Sequence, residues 1–232
     1  MSTHTPTRTT KAPRATRVPR TPEPRRDGFT VDGSDRNLGT NLPQRMGELL
    51  WAPMLVMALM AFAAAMILGV LRADVVATTP DDAVRLAQLQ HVTAGVMFIG
   101  FTAVLSGIAF AIARILGTFR VGGGQLQHTT IGHVQTLRMP TSAKLMIALM
   151  MMGMMAIIGG VIAHFVVAAQ TTTAADLVAA EQAFVIIEAV RRIGVSLHLV
   201  AIAFGLATII EVLRFQAVRI GELAATPRHS SN

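Results

Sequence analysis

The chain has 232 residues, 52% hydrophobic and only 14% charged, with 20 Lys/Arg against 13 Asp/Glu and a formal charge of +7. Soluble domains carry nearer ~25% charged residues, so this balance points to lipid as the main solvent. The absence of cysteine excludes disulfides, thiolate zinc sites, iron–sulfur ligation and covalent c-type haem attachment, and the absence of tyrosine removes phenolic proton or radical chemistry.

Residues 1–45 are rich in Thr, Pro and Arg and hold nine Arg/Lys against four Asp/Glu (Glu23, Asp27, Asp32, Asp35), a local charge of 9 − 4 = +5. With no apolar periodicity they read as a disordered tail held near anionic headgroups. Apart from Phe29 the tail has no interleaved aromatics and it shows no recognition motif, so no nucleic-acid partner is expected.

Four apolar runs follow, at 50–71, 92–113, 145–169 and 193–213, each edged by Arg, Lys or Pro. A hydrocarbon core ~30 Å thick takes ~20 residues at ~1.5 Å rise, so each run is long enough to span. The expected fold is an all-α integral membrane protein, a four-transmembrane-helix up-down-up-down bundle over 46–223, with a short disordered C-terminus at 224–232. The lipid bilayer is its first partner.

The first helix opens near Glu48, with Trp51 suited to the headgroup layer and Pro53 expected in the first turn. A polar loop runs from Arg72 to about Asp82, where Asp81-Asp82-Ala83 gives an N-cap-like start and places the beginning of the second helix outside the membrane. Residues 114–144 form the longest expected internal loop. Its Gly122-Gly123-Gly124 reads as a flexible turn, since no strand precedes it and no GK[ST] follows to cradle phosphate. The third span carries Met146, Met150, Met151, Met152, Met154 and Met155 all round the helix, a pattern of adaptable packing rather than a thioether copper path. The connection 170–192 has a helical pattern, so the fourth helix also starts outside the bilayer, and an amphipathic end at 214–223 leaves it.

Near the span ends one side holds Arg36, Arg45, Arg114, Arg120, Arg138, Lys144, Arg214 and Arg219, and the other Arg72, Arg85, Arg191 and Arg192. This bias puts both termini on the cytoplasmic side of an inner (cytoplasmic) membrane.

Of seven histidines, His91, His164 and His198 fall in or at the edge of spans, where polar groups are costly and usually have a partner or a task. Counted from Arg114, Lys144 and Arg214 they lie 23, 20 and 16 residues from the cytoplasmic edge, or ~34, ~30 and ~24 Å. On this count all three sit in the outer half, with His164 and His198 within about one helical turn of each other. Gly160 precedes His164 by four residues, Gly194 precedes His198 by four and Gly95 follows His91 by four, so each imidazole has a glycine on its own face. Such gaps suit a porphyrin edge, and Arg191, Arg192 or Arg85 at the outer rim suits haem propionates. The histidines therefore form a candidate haem b site ligated by His91 with His198, or by His164 with His198. The same three imidazoles would equally suit copper or zinc. The structural alternative is that small residues simply let helices approach.

No Ser-His-Asp set, paired carboxylates or HExxH motif appears. The spans offer no second acid beside Glu211 for proton loading, and Glu211 is expected to pair with Arg214 three residues on. The expected function is a haem b-binding electron-transfer subunit or membrane anchor of a larger complex, working with other membrane or peripheral subunits rather than as a stand-alone enzyme. The alternative is a non-enzymatic membrane scaffold or assembly partner.

Overall fold

Four helices carry the apolar runs in the computed structural model, which describes residues 29, 31–33, 40–131 and 134–225. β1 (Val31–Gly33) comes first, then α1 (Leu42–Thr78), α2 (Ala83–Ile131), β2 (Gln135–Leu137), α3 (Thr141–Gln170) and α4 (Leu177–Ala225), with a 3-10 turn at Ala174–Asp176 before α4. All four helices are long and apolar enough to cross a membrane. The chain is an all-α integral membrane protein with up-down-up-down order. The short α1–α2 and α3–α4 links define one end of the bundle, the link end; the opposite, terminal end carries the start of α1 and the end of α4.

Several local expectations change. β1 pairs antiparallel with β2, Val31 opposite Leu137, and Phe29 packs edge-on against Phe215 of α4 at 5.6 Å, so part of the 1–45 tail is built into the terminal end. Residues 1–28, 30 and 34–39 of that tail, and residues 226–232, lie outside the described residues. α1 begins six residues before Glu48: the Gln44 side chain accepts the Asn41 N–H at 2.9 Å, closing the first turn. Pro53 consequently sits inside α1 rather than in its first turn, an interruption that membrane helices tolerate. α2 starts at Ala83 as expected, with Asp82 Oδ1 accepting the Arg85 N–H at 3.1 Å.

The expected loop at 114–144 is largely helix, because α2 runs on to Ile131. Three glycines cost a helix ~1 kcal/mol each against alanine, so tertiary contacts must offset that loss. The contacts are visible: Gln216 Nε2 of α4 donates to the Phe119 carbonyl at 2.9 Å, and the Gln216 and Arg219 side chains fill the space a β-carbon on Gly123 would need. α4 likewise continues unbroken past Leu213.

α1 packs against α2, and α2 packs against both α3 and α4, which pack against each other. The α1 contact face is small: Gly47, Ala58, Ala61 and Ala65 are buried, and Phe62 and Leu55 lie over Gly100 and Gly107 of α2. Its opposite face exposes Leu59, Met60, Met66, Ile67 and Val70, a surface for lipid.

The register between helices fixes depth. A β-carbon at Gly205 of α4 would meet Ile112 Cδ1 of α2 and Met146 Sδ of α3, both at 3.0 Å, and one at Gly160 would meet Phe98 Cε2 at 3.6 Å. Thr208 Oγ1 bonds Ser142 Oγ at 2.9 Å, and Ser142 Oγ donates to Glu211 Oε2 at 3.1 Å. Glu211 thus takes a partner on α3 in place of the expected ion pair with Arg214. The apolar runs of α2 and α3 coincide in depth. The step of 93 from Ile112 to Gly205 carries 92–113 onto 185–206 of α4, so the expected fourth span, 193–213, is displaced toward the terminal end.

Candidate functional site

His91 and His164 meet where α2 and α3 face each other near the link end, 2% and 0% exposed. Their Nδ1 atoms are 2.9 Å apart, and His91 Nε2 is 3.1 Å from the carbonyl oxygen of Ala180 on α4. These contacts order the protons. A carbonyl only accepts, so His91 Nε2 carries hydrogen and donates; neutral His91 then has a bare Nδ1, which accepts from His164 Nδ1–H. His164 Nε2 is left as a lone-pair acceptor, buried and without a partner among the described residues. Phe98 meets the His164 ring edge-on at 5.0 Å, and Phe184 meets His91 at 5.4 Å and His164 at 5.5 Å.

His198 is 1% exposed and belongs to another layer. Its Nδ1 donates to the Gly194 carbonyl at 3.0 Å, one turn back on α4, and its ring lies over Gly153 of α3. Gly153 is eleven residues from His164 along α3, so His198 and His164 are separated by ~16 Å in depth rather than one turn. The count from the charged edges took Lys144 and Arg214 as level. The Thr208–Ser142 bond instead puts Lys144 level with about residue 206 of α4, and Arg214 eight residues, ~12 Å, beyond it.

The glycines near the histidines are occupied by protein. Gly95 faces the Phe165 ring and His164 Cβ, Gly160 faces Ile187 and Phe98, and a β-carbon on Gly194 would stand 2.7 Å from Ile157 Cγ1. A metal between two imidazoles needs ~4 Å, at ~2.0–2.1 Å per nitrogen, which the 2.9 Å contact of His91 with His164 does not give. His198 is too distant in depth to pair with either. Among the described residues no three His, Asp or Glu side chains gather as a metal site. In this packing the histidines fit neither a bis-imidazole haem nor a three-imidazole metal.

Charge was the part of the site that sequence reasoning misplaced. Arg191, expected at the rim, has its guanidinium over the Phe98 ring at 4.6 Å and forms an ion pair with Glu188 at 2.6 Å. Phe98 lies six residues inside the start of the α2 apolar run, and Gly160, against the same ring, nine inside the end of the α3 run. The pair therefore sits ~9–14 Å within the apolar slab. Glu188, partly buried, is an acid at slab depth that lies outside the four apolar runs. The i, i+3 spacing of Glu188 and Arg191 signals an ion pair, but only the register of α4 gives its depth. Arg192, the next residue, is exposed on the outward face of α4. Of the loop histidines, His128 is exposed on α2 and His133 lies outside the described residues.

Comparison with known protein families, curated proteins and solved structures finds no match for this chain.

Proposed function

We propose that this chain is a non-enzymatic membrane subunit that assembles with other membrane polypeptides, lying in the cytoplasmic membrane with both termini on the cytoplasmic side. The observation that carries this reading is the use of polar groups within and at the edges of the spans in helix association. His91, His164 and Ala180 join α2, α3 and α4; His198 fills the cleft at Gly153; Ser142, Thr208 and Glu211 join α3 to α4. Polar side chains used in this way act as interhelical glue. The loop charges support the orientation.

A second reading, a haem b-carrying electron-transfer subunit, draws on Nε2 of His164 and Nε2 of His198, both buried without partners among the described residues, and requires the helices to move from the present packing before any two histidines share a haem. An absorption spectrum of detergent-purified protein from a haem-replete host, oxidised and then reduced, with metal analysis of the same sample, separates the two. The assembly reading expects a colourless protein without stoichiometric iron, copper or zinc. A Soret band that sharpens on reduction would replace it with the haem reading. A native gel in mild detergent tests assembly itself: the chain is expected to migrate with other polypeptides, and a solitary chain would refute the subunit assignment.

A further inference from the structure

Arg192 lies on the outward face of α4 at a depth where hydrocarbon surrounds the bundle. It follows directly on Arg191, whose guanidinium is against Phe98, and it makes no ion pair or hydrogen bond among the described residues. A lone cation inside the hydrocarbon is costly unless something pairs with it. At slab depth the same face exposes Ala189 and Ser196 beside Val185, Ile193 and Val200, and Gln182 stands just outside the link-end edge. The outward face of α1 is different in kind, with Leu59, Met60, Met66, Ile67 and Val70. What sets the α4 face apart is Arg192 with Ser196 and the small Ala189, which suit a helix that brings a polar partner and approaches closely.

We propose that this face of α4 docks a transmembrane helix of another protein that carries an Asp or Glu carboxylate in the link-end half of the bilayer, opposite Arg192. Charge selects the occupant. Glu188 is held by Arg191, so the segment retains one positive charge that a single partner carboxylate neutralises. A second copy of this chain offers at this depth only Glu188, already engaged, and would bring two Arg192 side chains together. The proposal rests on the subunit reading given above and names the surface and the partner chemistry.

A photo-crosslinking residue is placed at Ala189 or Ser196, with Met60 on α1 as the lipid-facing control, and irradiated in native membranes. The expected result is a protein adduct of one size from the α4 positions and none from Met60, with the partner attachment mapped by mass spectrometry to an apolar segment containing Asp or Glu. Arg192→Glu should reduce the adduct about tenfold or more, while Arg192→Lys keeps most of it. If Arg192→Glu does not accumulate in the membrane, Arg192→Gln takes its place with the same expectation. Phospholipid adducts alone, an adduct of two copies of this chain, a partner segment without an acid, or an adduct indifferent to Arg192 would each overturn the proposal. If the complex persists on a native gel while the α4 adduct is absent, docking on this face fails and the subunit reading stands. If the chain runs alone, the subunit reading itself has failed.

Discussion

The Nδ1 atoms of His91 and His164 lie 2.9 Å apart, although 73 residues separate them in the chain. One proton between two imidazoles joins α2 to α3, and His91 Nε2 extends the connection to α4 through Ala180.

The proton order in this clasp can be observed. Nitrogen-15 NMR of histidine-labelled protein should show His91 protonated on Nε2 and His164 on Nδ1, with His164 Nε2 bare. The reverse tautomer at His91 would contradict the bond to Ala180. Replacing His91 with alanine leaves the His164 donor buried without its acceptor, and should lower unfolding stability in micelles by about 1–3 kcal/mol.

Two glycines of α3 should respond to alanine in opposite ways. At Gly153 a β-carbon would press on the His198 ring and stand 2.9 Å from the Gly194 carbonyl, so Gly153→Ala should cost about 1–3 kcal/mol. Nothing lies within 4 Å of a β-carbon at Gly159, and Gly159→Ala should be neutral or stabilise by up to ~1 kcal/mol through helix propensity. Equal effects on thermal unfolding at the two sites would contradict the close α3–α4 approach.

The Ser142–Thr208–Glu211 chain should behave as one unit. Thr208→Val removes the bond to Ser142, 2.9 Å long, and should cost about 0.6–1.7 kcal/mol, the range for interhelical hydrogen bonds in membranes. In the Ser142→Ala background the same change should cost much less, because the two share an interaction. Additive costs in a double-mutant cycle would show the residues to be independent.

Glu188→Gln leaves Arg191 inside the slab without its counterion. Breaking a buried pair costs ~3–5 kcal/mol, and with side chains retaining 27% (Arg191) and 17% (Glu188) exposure a loss of about 1–3 kcal/mol is expected, since exposure weakens the pair. Arg191→Gln in the Glu188→Gln background should recover part of it. A Glu188→Gln protein as stable as the parent in a detergent unfolding series would place this pair in water.

Much of the architecture was legible because membrane insertion is written locally. A run of apolar residues spans wherever it occurs, so all four helices could be located, and the Asp82 cap and the early start of α4 were visible beside them. The burial of His91, His164 and His198 was legible for the same reason. Their pairing was not. His91 and His164 are joined by the α2–α3 packing, and His198 is parted from them by how far α4 slides along α3, which Thr208 and Ser142 fix through side chains 66 residues apart. The helical course of Gly122-Gly123-Gly124 was hidden similarly, since those residues disfavour a helix alone and hold one only against Gln216 and Arg219.

By itself, then, the sequence determined the solvent, the number of crossings and the set of buried polar side chains, because each follows from the hydropathy of about twenty neighbouring residues. The tertiary structure alone decided the depth of each group. Apolar helices slide past one another at little hydrophobic cost in lipid, so the register is set by a few close glycine contacts and hydrogen bonds between distant residues. That register brought His91 to His164, parted both from His198, and carried Glu188 and Arg191 into the slab.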